Sequence, residues 1–433
     1  MVTATLAGWF AFADAMGDEG DPVAFGLFIG SVSILFMSWS NVLATRVQVL
    51  EPFFGGLDRM YRWHRWFGAL SAAAMWLHIQ TIDDVKGIRG ASKNIADAAE
   101  DLAGTGETLL YILVFASLIR WVPYRWWRQS HKLMILPFVF ASWHFHTSTK
   151  PYANSSLWGR WFQAMMLLGI AAWVYRVIWR DGFARGRRYQ VSDVIVGKEV
   201  TTLELEPLGR PMRHRLGQFA FIRIGNGRLS EPHPFTIASH PHDRRLRVHV
   251  KDLGDWSGRL GAAVEPGVVV RVEGPHGRLR VFPPARRSDV PVVWVAGGVG
   301  ITPFLGAAAD PGPRRQIPHL FYAVRSRDNA VGLEELQEAH SAGRIMLHLC
   351  VSSEGSRLAF EVVRDAIGDA GMVDAHIVMC GPDGLIHDMR RNFRSAGARH
   401  VHVEGFDIRT GVGPDLSQEW DEVIEKAVSR VRR

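Results

Sequence analysis

The sequence predicts a multi-domain membrane protein: an all-α transmembrane helical bundle, then an antiparallel β-barrel, then a doubly wound α/β domain. Three observations predict it. The long apolar runs and most of the 16 tryptophans lie in residues 1–182, and tryptophan favours the boundary between membrane and water. Residues 183–286 alternate short β-like runs with turns, the pattern of a small antiparallel barrel. From residue 287 to 433 apolar strands alternate with helical stretches, which predicts a parallel sheet covered on both faces. The 47% hydrophobic content averages two unlike halves and decides nothing by itself.

Composition also excludes. Cys350 and Cys380 are the two cysteines, so neither a disulfide framework nor paired-cysteine zinc spacing is expected. The net charge of +7 is concentrated in short arginine clusters beside the apolar runs. It is read as membrane orientation rather than as a nucleic-acid footprint. The start lacks a basic stretch, and no cleavable signal peptide is expected. No internal repeat, low-complexity tract or calcium-binding loop is recognisable.

In the membrane half, windows near Val23–Ala44, Trp63–Ile82, Thr108–Val122, Leu133–Ser148 and Trp158–Ile178 approach the length needed to span a bilayer. The opening LAGWFAFADAM reads as a partial or interfacial helix. Arg46, Arg59, Arg62 and Arg65 separate the first two windows; Arg120, Arg125, Arg128 and Lys132 separate the third and fourth; Arg180, Arg185, Arg187 and Arg188 follow the last. The opposite connections hold the acidic run 18–21 and a mixed loop from Asp83 to Gly106 with Asp84, Asp97, Glu100 and Asp101. The positive-inside rule then places the arginine clusters and the C-terminal half in the cytoplasm of a multi-pass cell-membrane protein. The second and fourth windows run the same way, outward.

These two parallel windows carry histidines. His64 and His78 are fourteen residues apart, which on a helix is about 40° short of four turns, so they share a face about 21 Å apart. His131 lies at the cytoplasmic end of the partner window, with His144 and His146 near its outer end. One histidine in a membrane helix serves as readily to hydrogen-bond a neighbouring helix. Two levels of opposed imidazoles are what two stacked haems require, each iron held from both faces, and ligation removes the problem of a buried charge. Gly68, Ala69, Ala72, Ala73 and Ala74 leave room for a flat ring system. On an ideal helix His144 lies about 140° from His131 and His146 about 60°. Pro137 between them can kink the helix or change its phase, so both remain candidates on geometry.

The barrel region reads as strands at RYQVSDVIV, EVTTLELE, QFAFIRIG, RLRVHVKD and VVVRVEG. Within it stand EPHPFTIASH (231–240), KDLGDWSGRL (251–260) and EGPHGRL from Glu273. The α/β region opens on PVVWVAGGVGITPFLGAA, an apolar strand, a glycine-rich turn and a helix start. Glycines let a backbone approach a pyrophosphate, and a helix N-terminus favours its charge. Further strands follow at HLFYAVRS, RIMLHLCVSS, DAHIVMCGP and HVHVEGF, the alternation of a nucleotide-binding domain.

With HPFT, GDWS, GGVGITP, CGP and the paired membrane histidines in this order, the chain resembles the ferric reductase/NADPH oxidase superfamily over nearly its whole length. Its soluble half is similar to ferredoxin–NADP reductase. The resemblance implies FAD, two b-type haems, and NADPH or NADH as donor. It implies that His233, Pro234, Phe235 and Thr236 line the flavin, with Thr236 near the reactive ring nitrogen. Lys251, Gly254, Trp256 and Ser257 fall in the stretch that contacts the FAD pyrophosphate. Gly297, Gly298, Gly300, Thr302 and Pro303 would cradle the nicotinamide nucleotide, with Cys380, Gly381 and Pro382 beside the nicotinamide. Phe406 in VEGF resembles the aromatic residue that covers the flavin, although this chain continues to Arg433. Residues 418–433 read as an amphipathic helix. Arg325, Arg327 and Arg357 could meet a 2′-phosphate.

The haem ligands implied are His64 with His131 on the cytoplasmic side and His78 with His144 on the outer side. The oxidases space these pairs fourteen and thirteen residues apart, as here, which favours His144 over His146. Iron held from both faces has no open position, implying reduction of dioxygen to superoxide at the haem edge. The function expected is transmembrane electron transfer from cytoplasmic NAD(P)H through FAD and haem to a small-molecule acceptor, dioxygen first. The alternatives are a ferric or cupric reductase, or a membrane subunit that reduces a partner protein or quinone. Membrane lipid is an expected partner, and nucleic acid is not.

Overall fold

The computed structural model describes residues 21–82, 88–118, 124–183, 186–225, 227–253, 256–284, 287, 289–309 and 316–403. The chain divides into two compact units at residue 184/185.

The first unit is helical. Helix α1 spans Asp21–Leu43, α2 Leu57–Thr81, α3 Lys93–Leu118, α4 Tyr124–His131, α5 Ile135–Thr147 and α6 Leu157–Trp173, with a wider π-type continuation over Val174–Phe183. Helix α1 packs along both α2 and α6, and α3 packs on α5. Their shared core includes Ile34, Leu35, Ala72, Leu110, Phe138 and Met166. Close approach depends on missing side chains. A Cβ on Gly169 would stand 2.7 Å from the Phe138 ring and 3.0 Å from the Ser38 Cα.

Three helices among the described residues are long and apolar enough to cross a membrane: Val23–Leu43, Lys93–Leu118 and Leu157–Phe183. Two details of the expected pattern are corrected. The third span begins at Lys93, so Asp97, Glu100 and Asp101 lie in the first turns of a helix and not in a loop. The reason is composition: NIADAAEDLAG holds four alanines, the strongest helix former, and its polar face stays exposed. The phase change between His131 and His144 comes from the single 3₁₀ turn Lys132–Met134, and not from a kink at Pro137. Proline there is the third residue of α5, within the first turn, where its missing N–H costs no helical bond. Three residues wound at 3₁₀ pitch add about 60° of rotation relative to an α-helix. That brings His144 toward the face of His131.

The second unit holds two sheets. Six antiparallel strands, β1 Arg187–Val196, β2 Val200–Pro207, β3 Phe219–Ile224, β4 His233–Thr236, β5 Leu246–Lys251 and β6 Val269–His276, pair in the order β4-β3-β6-β1-β2-β5. Their inward residues, among them Tyr189, Leu203, Leu205, Val248, Val250 and Val272, form one core. Five parallel strands follow: β7 Val292–Gly297, β8 His319–Val324, β9 Met346–Val351, β10 His376–Cys380 and β11 His400–Val403, in the order β9-β8-β7-β10-β11. Helices α7 Thr302–Ala309, α8 Leu333–Ser341, α9 Phe360–Ile367 and α10 Asp383–Ser395 connect them. Separate cores lie on the two faces of this sheet, one around Trp294, Phe304 and Tyr322, the other around Phe321, Met379 and Phe393. The strand order reverses at β7, whose neighbours are β8 and β10. Ligands of such sheets bind beyond the strand ends at this switch point.

The barrel and the parallel sheet are joined by specific bonds. Trp294 Nε1 donates to Val281 O at 2.9 Å, His376 Nε2 lies 2.8 Å from Arg280 O, and Arg247 Nη1 pairs with Glu335 at 2.6 Å.

Candidate functional site

In the helical unit the structure brings the His64 and His131 rings together edge to face, their centroids 5.9 Å apart and their planes at 73°. Each imidazole is oriented from behind. His64 Nδ1 lies 2.8 Å from Ser40 Oγ and 2.9 Å from Ser40 O. The Ser40 hydroxyl also lies 3.4 Å from His64 O, to which it donates. The ring nitrogen facing a carbonyl and an already committed hydroxyl must therefore be the protonated one, which leaves Nε2 with a free lone pair. His131 Nδ1 is 3.2 Å from Ser117 Oγ, and Trp127 stacks on the ring at 5.1 Å.

The second level is built alike. His78 Nδ1 lies 2.7 Å from Gly26 O and so donates, again leaving Nε2 free. A Cβ at Gly30 would fall 2.7 Å from His78 Nδ1, so α1 reaches this ring only because residue 30 is glycine. His144 is half-buried and within electrostatic reach of His78. Its Nδ1 is buried without a hydrogen-bond partner among the described residues. His146 is exposed, its Nδ1 3.4 Å from Gln163. A Cβ at Gly68, one turn along α2 from His64, would meet nothing within 4 Å. The His64–His131 pair, with both Nδ1 atoms held from behind, fits the demands of histidine-ligated iron; at the outer end His78 Nδ1 is held in the same way, while His144 Nδ1 is not. Lys150 is buried, its ammonium donating to Phe145 O at 2.5 Å and close to His146 O and Ser148 O. It caps the carbonyl end of α5.

In the second unit, His233, Pro234, Phe235 and Thr236 form strand β4 at the edge of the barrel sheet. His233 and Phe235 lie against Trp256, with ring centroids 4.2 and 5.6 Å away. The Thr236 hydroxyl is buried without a hydrogen-bond partner among the described residues. An orphaned buried hydroxyl costs stability, and here it sits where a flavin nitrogen is expected. Lys251 ends β5, 3.8 Å from Glu199. Ser257 Oγ accepts from Leu253 N at 2.8 Å and fixes the turn that carries Trp256. Gly254 lies outside the described residues, as do Phe406 and the helix expected over 418–433.

The glycine turn lies at the end of β7, the switch point. Gly298 has φ +54. A Cβ on Gly300 would stand 2.3 Å from Cys380 O, one on Gly297 2.6 Å from Pro382 Cδ, and one on Gly381 2.9 Å from Gly297 N. The loops after β7 and β10 thus meet backbone to backbone, which brings Cys380, Gly381 and Pro382 beside Gly297, Gly298 and Gly300. Thr302 and Pro303 are buried at the start of α7, and Cys380 is buried at the end of β10. A cavity of about 1140 Å³ opens here, lined by the turn, by Pro382, by Arg325, Arg327 and Arg357, and by the outer faces of β2 and β5. Arg327 makes a two-pronged contact with Glu354 at 2.9 and 3.0 Å. That pairing, which a linear reading cannot show, raises its pKa through the Glu354 hydrogen bond. Glu204, Arg247 and Glu335 were also missed, because they are joined only through the β2–β5 register and α8.

Two buried imidazoles of this unit are held neutral. Burial, with the nearby Arg247, pushes His249 down to about 3. Burial pushes His376 down to about 4, against a raising contact with Arg280 O. Both lie below the unfolded value, so the unfolded chain binds more protons as pH falls. The stability they contribute is full above about pH 6.5 and is lost as pH falls toward the folded values. The thermal midpoint of this unit, followed by flavin fluorescence in the detergent-solubilised full chain, is expected to fall steadily between about pH 6.5 and 4.5. A flat profile would show that neither imidazole must charge on unfolding.

Comparison with known proteins follows the same division. The family model described as ferric reductase like transmembrane component matches residues 29–142, the FAD-binding domain matches 187–282, and the oxidoreductase NAD-binding domain matches 294–391. The chain is 31% identical to NADPH oxidase 1 of Rattus norvegicus over 145 residues, covering 32% of this chain and 24% of that protein. It is 26% identical to the carnitine monooxygenase reductase subunit of Escherichia coli K12 over 203 residues, 46% of this chain and 60% of that one. It is 25% identical to ferric reduction oxidase 7, chloroplastic, of Arabidopsis thaliana over 324 residues, 66% of this chain and 40% of that protein. The matches span less than two thirds of each relative's own length.

Proposed function

The chain belongs to the ferric reductase/NADPH oxidase superfamily, with a ferredoxin–NADP reductase-like second half, and from that premise we propose that it moves electrons from NAD(P)H across a membrane to an acceptor on the far side. The observation that carries this reading is the conjunction of the His64–His131 imidazole pair in one unit with a glycine-turn cleft at the switch point of the parallel sheet in the other. His64 with His131 and His78 with His144 would hold two haems; the β4 strand and Trp256 would hold FAD. When bound, the flavin supplies the conversion of a hydride pair into single electrons, and the haems supply relay centres for them.

The chain's own residues do the rest. Ser40 and Gly26 set the tautomers that leave His64 and His78 able to ligate. The Gly297–Gly300 turn brings backbone N–H groups and the start of α7 toward a pyrophosphate. Arg325 and Arg357 supply positive charge at the far end of the cleft, where a 2′-phosphate would favour NADPH over NADH. The arginine clusters near Arg59, Arg128 and Arg180 support a cytoplasmic side for the second unit.

Dioxygen is the favoured acceptor, giving superoxide. The alternative with an observation behind it is ferric-chelate reduction, since the match to the ferric reduction oxidase covers 66% of this chain. The test is NADPH-driven turnover of the purified full chain in detergent, comparing dismutase-sensitive cytochrome c reduction with ferric-chelate reduction. Superoxide formation is the expected result. Rapid chelate reduction without oxygen consumption reassigns the acceptor, and no NADPH oxidation with either overturns the electron-transfer reading.

A further inference from the structure

At the N-terminal ends of β8 and β9, away from the cleft, two imidazoles meet that no role above uses. Strand β9 is the edge of the parallel sheet, and β8 is its one neighbour. Their register sets His319 beside Met346 and Phe321 beside His348. Strand alternation then puts His319, Met346 and His348 on one face, with His319 and Met346 a strand spacing of about 4.8 Å apart. His319 Nδ1 lies 3.2 Å from His348 Nε2, with the ring planes within 9° and the centroids 5.4 Å apart. The rings therefore meet nitrogen to nitrogen in nearly one plane. His348 is held there by stacking on Phe321, 4.3 Å away. Both imidazoles are half-buried, and Met346 is 42% exposed.

A neutral imidazole carries one N–H, so two ring nitrogens in contact hold one proton between two lone pairs. A metal ion can take that proton's place. The proton then moves to the other nitrogen of its own ring, and both rings stay neutral ligands. The spacing suits the exchange, since two nitrogens bound to one metal ion at a tetrahedral angle stand about 3.3 Å apart. Small rotations of the two rings aim their lone pairs at a common point. No arginine or lysine among the described residues acts electrostatically on either ring. The other histidine group of this sheet differs: His402 and its neighbours His376 and His400 lie among Arg280, Arg287 and Arg394, which repel a cation. The third side chain decides which metal fits. Imidazole suits zinc, nickel, iron and copper alike, whereas a thioether selects Cu(I). We propose that His319, His348 and Met346 form a Cu(I) site that ties the edge strand β9 to β8. The inference is independent of what the cleft binds.

The test is anaerobic equilibrium dialysis of the detergent-solubilised full chain against chelator-buffered Cu(I), with bound copper counted by elemental analysis. It compares the unaltered protein with His319→Leu, His348→Phe, Met346→Leu and, as control, His387→Gln, whose side chain is exposed on α10. Cu(I) affinity is expected to fall about a hundredfold in His319→Leu and His348→Phe, since losing a ligand costs at least as much as losing a partner behind one. Met346→Leu is expected to weaken Cu(I) about tenfold and to leave Zn(II) binding unchanged, because zinc gains little from a thioether. The copper absorption edge of the unaltered protein then shows nitrogen and sulfur neighbours, and Met346→Leu loses the sulfur. FAD content and NADPH-driven flavin reduction stay the same throughout, since the site lies at the far ends of the strands. Copper held equally by all the variants is adsorbed elsewhere on the chain and overturns the inference, as does an equal loss in His387→Gln. A Met346→Leu variant with unchanged Cu(I) affinity and an unchanged copper spectrum also overturns it. Met346 is exposed enough to be replaced without loss of the fold, so that arm decides the matter where a histidine variant fails to fold.

Discussion

Full-length protein carrying His131→Leu, purified from cells supplied with haem, is expected to show about half the Soret absorbance per flavin of the unaltered chain, because one of two two-histidine levels has lost a ligand. The expectation follows from the site and not from the count of histidines. The His131 ring meets His64 at 5.9 Å and is held by Trp127 and Ser117, and it is the imidazole among the described residues in ring contact with His64. His146 is a natural control: it is exposed and touches Gln163, and His146→Leu should leave the spectrum unchanged. Supporting residues should matter less than ligands, since partners behind a ligating histidine typically alter affinity about 10–100-fold. Ser117→Ala removes the one hydroxyl recorded against His131 Nδ1, whereas Ser40→Ala leaves His64 the carbonyl of residue 40. Haem should therefore be lost more readily from the first variant than from the second. An unaltered spectrum in His131→Leu, with haem still bound at both levels, would sink the pairing.

How much of this could be read from the sequence depends on whether the information was local. The β4 motif, the glycine turn and the CGP segment are contiguous in the chain, and the strand, strand-to-helix turn and strand end they predict are present; their places at a sheet edge and around the switch point come from the sheet order. The β-alternation of residues 188–206 likewise became β1 and β2. The start of α3 was missed because its first turns are polar, and a hydropathy window sees only the apolar part of an amphipathic helix. The helices bearing the histidine pairs are not among the three apolar spans: α2 carries Asp58, Arg59, Arg62 and Arg65, and α5 has 13 residues. The rotation that carries His144 toward the face of His131 lies in the three residues of 3₁₀ turn, a phase change that no regular periodicity contains. Arg247 was invisible as a site residue because RLRVHVKD reads only as an alternating strand. Its role arises across the sheet, where it faces Glu204.

The sharpest separation of the two cofactor sites in the second unit is expected from Gly300→Val. Strands β7 and β10 are parallel neighbours, with Ala296 opposite Cys380, so the loops leaving them must pass each other at their ends. They pass without side chains. The position of a Cβ on Gly300 is 2.3 Å from Cys380 O, 2.6 Å from Cys380 C and 2.7 Å from Gly381 N. All three are backbone atoms, so a rotamer change cannot relieve the clash, and one loop must move away from the other. That displaces the Gly297–Gly300 turn and the Cys380–Pro382 segment together, the two walls between which a nicotinamide nucleotide would lie. NADPH-driven flavin reduction in anaerobic stopped flow is expected to fall on the order of a hundredfold, equivalent to about 2.7 kcal/mol in the barrier. FAD itself should stay bound, since β4 and Trp256 belong to a barrel with its own core, and dithionite should still reduce it. Gly384→Ala is the matched control. It lies two residues beyond Pro382 in the first turn of α10, and a Cβ there meets nothing within 4 Å. That change should leave reduction intact and, by replacing glycine within a helix, stabilise the protein by up to about 1 kcal/mol. Equal loss in both variants would mean that the region tolerates no change at all. Retained reduction in Gly300→Val would mean that the nucleotide is held elsewhere than at this turn.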